Sequence, residues 1–112
     1  MAFLLLTSDL MFQSQAVQAA AVAGVELKPC LTLKTILSAL ASEQVAGVLI
    51  DLSLPSDLNQ LAEACQEAGV SRLIAVGPHV HEDRLEVARN AGWQTFSRGQ
   101  FHRQGPQILA SE

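Results

Sequence analysis

Apolar residues arrive in this chain in short unbroken blocks, each followed by a small polar stretch and then by a longer segment with helical spacing. Phe3-Leu4-Leu5-Leu6, Val48-Leu49-Ile50 leading to Leu52, and Leu73-Ile74-Ala75-Val76 are the clearest blocks. Unbroken apolar runs of this length read as strands buried on both faces, as in a parallel sheet with helices above and below. Val25 to Leu31 reads differently, because Val25 and Leu27 alternate with Glu26 and Lys28 and Pro29 follows. Alternation with a proline marks an edge strand. Trp93 to Ser97 supplies a fifth strand.

Helices fill the intervals. Thr7, Ser8 or Asp9 can cap the first, Leu10 to Ala23, which is rich in alanine and stops at Gly24. Thr32 is placed to cap the second, where Leu33, Ile36, Leu37 and Leu40 recur at i, i+3, i+4, i+7. Ser56 or Asp57 caps the third, with the stripe Leu58, Leu61, Ala62, Cys65 and Ala68 and a stop at Gly69. A fourth runs from about Glu82 to Ala91 with Leu85 and Ala88 inward, closed by Gly92. The tail from His102 contains Gly105-Pro106, which predicts a short or broken last helix. Strand and helix alternate throughout, so the expected fold is α/β. It is a doubly wound, five-stranded parallel sheet in strand order 2-1-3-4-5, a single domain spanning 1–112.

Composition narrows the function classes. With 49% hydrophobic and 16% charged residues the chain carries enough apolar material for a packed core. A net charge of -4, with 7 Lys and Arg that form no cluster, argues against a nucleic-acid partner. Met1 to Leu6 is too short for a signal core or membrane span, so a cytoplasmic protein is expected. Cys30 and Cys65 have no metal or redox spacing and read as free thiols, Cys65 on the core face of its helix. No GxGxxG, P-loop, GxSxG or HExxH occurs, and no enzymatic activity is expected.

Two places could carry chemistry. Asp51 ends the third strand, at the edge of an α/β sheet where ligands gather. In the loop Gly77-Pro78-His79-Val80-His81, His79 and His81 at i and i+2 would point to one side of an extended segment, with His102 able to approach from beyond strand five. The alternative there is that His79 packs and His81 begins a helix, and no zinc is expected.

Leu49-Ile50-Asp51-Leu52-Ser53-Leu54-Pro55 resembles the phosphoacceptor strand and loop of receiver domains from two-component response regulators, and Ala91-Gly92 before a strand resembles their helix-four to strand-five junction. The resemblance covers Phe3 to Phe101 and implies a flavodoxin-like fold and a role in signal transduction. It also implies a phosphoacceptor at Asp51, an acidic pair after strand one that helps bind magnesium, a Thr or Ser ending strand four and a Lys ending strand five. Here the acidic pair falls on Thr7 and Ser8, with Asp9 one residue late; the hydroxyl falls on Gly77; and the lysine falls on Gly99 or, with a gap, on Arg98. A lone carboxylate is a poor magnesium site, and without the lysine the charge of a phosphoryl group is unpaired.

The expected function is therefore a stand-alone pseudo-receiver, a regulatory protein–protein interaction module needing no cofactor. One alternative is a single-domain response regulator phosphorylated on Asp51 with magnesium. A second is a small metal- or ligand-binding α/β protein using Gly77 to His81, and a third, with mixed strand order, an anti-sigma-antagonist-like regulator. Leu10 to Ala23 carries no charge, which points to a homodimer or partner interface on helix one and the tail, with Ala19 and Ala20 as contact residues. The competing arrangement turns Gln13, Gln15 and Gln18 to water and covers the rest with the tail.

Overall fold

A computed structural model describes residues 2–53, 58–70, 72–78 and 82–110. The elements run β1 (Ala2–Leu6), α1 (Leu10–Ala23), β2 (Glu26–Cys30), α2 (Leu33–Ser42), β3 (Val45–Asp51), α3 (Leu58–Glu67), β4 (Arg72–Gly77), α4 (Glu82–Asn90), β5 (Gln94–Ser97) and α5 (Arg98–Ala110). All five strands pair in parallel in the order β2-β1-β3-β4-β5. The strand-only expectations hold, β2 at the edge included; the Ser56 and Asp57 caps lie outside the described residues.

Successive strand residues point to opposite faces, which splits the core into two layers. Leu4, Leu6, Val48, Ile50 and Ala75 meet Ile36 and Leu40 of α2, Leu61 and Cys65 of α3, and Leu85 and Ala88 of α4. Phe3, Leu5, Leu49, Ile74 and Val76 meet Phe12 and Ala16 of α1 and Phe101, Ile108 and Leu109 of α5. Both faces of the central strands are covered, which is why they read as unbroken apolar blocks.

The last helix corrects the sequence expectation. It is neither short nor broken: α5 spans 13 residues with Pro106 inside it. Its start is fixed by a reciprocal capping box. The Gln100 N–H donates to Ser97 Oγ at 3.1 Å, and the Ser97 N–H donates to Gln100 Oε1 at 2.8 Å. Its end is held by Arg72, whose Nη2 donates to the Ile108 carbonyl at 2.8 Å and Nη1 to the Leu109 carbonyl at 3.4 Å. Proline removes one backbone donor, but burial of Ile108 and Leu109 beyond it carries the helix through.

The same helix displaces the expected contact residues. Ala19 and Ala20 are not on the surface; they are buried in the layer that α1 forms with α5. The two helices approach closely because Gly105 faces Ala19: a Cβ at 105 would stand 2.9 Å from the Ala19 Cβ. Phe12 and Phe101 pack beside this contact with their rings tilted by 45°, centroids 5.4 Å apart. The large apolar residues that α1 leaves to solvent are Leu10, Met11, Val17 and Val22. No described helix is long and apolar enough to cross a membrane.

Candidate functional site

The sheet order places β1 beside β3, with Leu6 opposite Ile50. Thr7, just after β1, and Asp51, the last residue of β3, are therefore neighbours at the point where the winding reverses, the usual ligand crevice of such sheets. Thr7 and Asp51 are the buried polar residues among those described, at 1% and 2% exposure. Burial of a carboxylate is costly unless its oxygens are paired, and here both are. Thr7 Oγ1 donates to Asp51 Oδ2 at 2.8 Å, and the Ser53 N–H donates to Oδ1 at 2.9 Å.

The counter-charge comes from Arg98. Its Nη2 donates to Asp51 Oδ1 at 3.1 Å and to Ser53 Oγ at 3.1 Å, while Nη1 donates to Asp9 Oδ2 at 3.2 Å. The guanidinium carbon lies 5.1 Å from the centre of the Phe12 ring, within cation–π range. Arg98 stands at the first position of α5 because Ser97 caps that helix directly off β5. Of the two residues Arg98 and Gly99, it is Arg98 that reaches Asp51.

Asp9 is one residue late for the acidic position yet still belongs to the site. It is the N-cap of α1, with Oδ1 accepting from the Met11 and Phe12 N–H groups and Oδ2 left for Arg98. The Phe12 N–H, then the Arg98 hydrogen bond, hold its carboxyl below the ordinary value of 3.8, with desolvation acting in the other direction. Ser8 is exposed. Gly77 is buried under Leu52: a Cβ there would meet the Leu52 Cβ at 3.1 Å, so a hydroxyl-bearing side chain would have to displace Leu52.

His79 and His81 lie outside the described residues. His102 is inside α5 rather than in a loop, sharing a 3.4 Å contact with Gln15 of α1. Among the described residues no three His, Cys, Asp or Glu side chains are grouped to hold a metal. Cys30 and Cys65 are buried free thiols, Cys65 pushed up to about 11 by desolvation.

This arrangement of five parallel strands wound 2-1-3-4-5 recurs in solved structures. The chain superposes with a TM-score of 0.77 on a CheY-like response regulator receiver domain protein from Methanospirillum hungatei JF-1, at 19% identity over 96% of this chain and 89% of that one. The fold is that of a CheY-like receiver domain. A CheY-like protein (tadZ) from Pseudomonas aeruginosa PAO1 gives 0.72 at 18% identity, covering 99% of this chain and 94% of its own. A response regulator protein from Burkholderia pseudomallei, solved with a phosphorylated aspartic acid, calcium ion and citrate, gives 0.75 at 17% identity, covering 98% and 65%. No protein-family model and no curated protein sequence matches the chain. Within the receiver fold, the pairing of Arg98 with Asp51 and Asp9 was only partly legible in sequence. The Ser97-x-x-Gln100 capping box was the signal that would have fixed Arg98 at the helix start.

The Asp9 shift has a defined consequence. A carboxyl whose folded value is lowered stabilises above its unfolded value and loses that contribution as pH falls through the folded value. Asp9→Asn should therefore lower stability at neutral pH and flatten its decline below about pH 4. Urea midpoints across that range check this; an unchanged acid limb would place the loss elsewhere.

Proposed function

We propose that this chain is a pseudo-receiver: a signalling module with the receiver fold that works through protein contacts rather than by accepting a phosphoryl group. The observation that carries this reading is the commitment of Asp51. One of its oxygens accepts from Thr7, and the other accepts from Ser53 and Arg98. A carboxylate that is to attack phosphorus needs an oxygen free and a cation arranged on the incoming charge. Gly77 supplies no hydroxyl to respond to such a group.

A second reading, a phosphorylated single-domain response regulator, is favoured by one observation: the Arg98 side chain is 32% exposed, so it can swing away from Asp51 toward solvent. The two differ in a direct assay. After incubation with acetyl phosphate and magnesium, the wild type should gain no more mass than Asp51→Asn. A magnesium-dependent gain absent from Asp51→Asn would establish the second reading.

Protein contact is supported by the outer face of α1. Leu10, Met11 and Val22 are 72%, 77% and 76% exposed, and the helix has no charged residue. A helix apolar on both sides is normally covered on both. The contact surface proposed from sequence thus moves from Ala19 and Ala20 to Met11, Val17 and Val22. Sedimentation equilibrium at rising concentration should detect self-association that Val17→Glu or Val22→Glu abolishes. A monomer at hundreds of micromolar would exclude the homodimer.

A further inference from the structure

We propose that Arg98 is the resident cation of this site, its guanidinium standing where a divalent metal would have to sit. The inference starts from the same committed Asp51 as the pseudo-receiver reading and deepens it. The receiver resemblance implies magnesium beside the acidic residues, and the residues present do not fit it. The two carboxylates of the site face each other across Arg98, at 3.2 Å from Asp9 Oδ2 and 3.1 Å from Asp51 Oδ1. Their remaining oxygens already accept hydrogen bonds: Asp9 Oδ1 from two helix N–H groups and Asp51 Oδ2 from Thr7. Magnesium requires oxygen ligands at about 2.0–2.1 Å in near-octahedral array. It cannot share this oxygen pair with a guanidinium at hydrogen-bond distance, and the two cations repel.

The choice of arginine follows from the shape of the gap. Its planar fork offers donors in two directions at once, which lets one side chain bridge Asp9, Asp51 and Ser53 while its face rests on Phe12. A lysine is a single point charge and would serve one carboxylate or the other. With Arg98 in place, two carboxylates and one guanidinium leave the cluster one negative charge. Without it, two facing carboxylates, one of them buried, lack a counter-ion and present hard oxygen donors to solvent. The structure thus assigns Arg98 as the group that makes the site independent of metal.

Magnesium chloride titrated into wild type, Arg98→Ala and Arg98→Gln, followed by calorimetry and by Tm, tests this. The wild type should show neither saturable binding nor a Tm change beyond that of potassium chloride at equal ionic strength. Both variants should bind at least about tenfold more tightly, with Tm rising as magnesium is added. Should the variants be unfolded without magnesium, recovery of the native circular dichroism on its addition supports the assignment and no recovery overturns it. Folded variants that ignore magnesium, or submillimolar saturation of the wild type, also overturn it. Phosphorylation of a wild type that ignores magnesium would refute the pseudo-receiver reading and leave this assignment standing.

Discussion

A carboxylate at 2% exposure beside the centre of an apolar sheet is the constraint around which this molecule is arranged. Left uncompensated, such a charge costs several kcal/mol. Asp51 is compensated from three places at once: Thr7 follows β1, Ser53 follows β3, and Arg98 opens α5, itself steadied by Asp9 at the cap of α1. Arg98 Nε remains buried without a hydrogen-bond partner, a local cost of about 1–3 kcal/mol that the three contacts of its terminal nitrogens offset.

That arrangement ties the site to the helical layer behind it. Phe12 supports the guanidinium and packs against Phe101, so the ring that supports Arg98 is also part of the core of the α1–α5 layer. Gly105 lets α5 lie close on Ala19, and Arg72 anchors the far end through the Ile108 and Leu109 carbonyls. A shift of Arg98 away from Asp51 would therefore bear on how α1 and α5 pack. The exposed apolar residues of α1 lie on the same helix as Phe12 and behind its N-cap Asp9, so the proposed contact surface and the site share one element.

Much of this was legible in the order of residues. The apolar blocks gave the strands, the alternation and Pro29 gave the edge, and Asp51 after Ile50 gave the place of the site, because burial on two faces leaves a strong sequence signature. What was not legible depended on contacts between distant residues. Pro106 argued for a broken helix, yet the packing of Ile108 and Leu109 and the clamp from Arg72 overrode a local preference. Ala19 and Ala20 suggested a surface because alanine spacing does not say which side of a helix meets a neighbour. Asp9 was discounted for being one residue late, whereas its second oxygen reaches Arg98 from the cap position.

Arg98 and Asp51 should be energetically coupled as ion and counter-ion, and a double-mutant cycle reads that coupling directly. Unfolding free energies of wild type, Asp51→Asn, Arg98→Met and the double variant, measured in urea at neutral pH, should give a favourable interaction of about 1–3 kcal/mol. The double variant should then be more stable than the two single losses added together. Additivity within about 0.3 kcal/mol would mean that the guanidinium and the buried carboxylate do not depend on each other, and that Arg98 is not the counter-ion of Asp51.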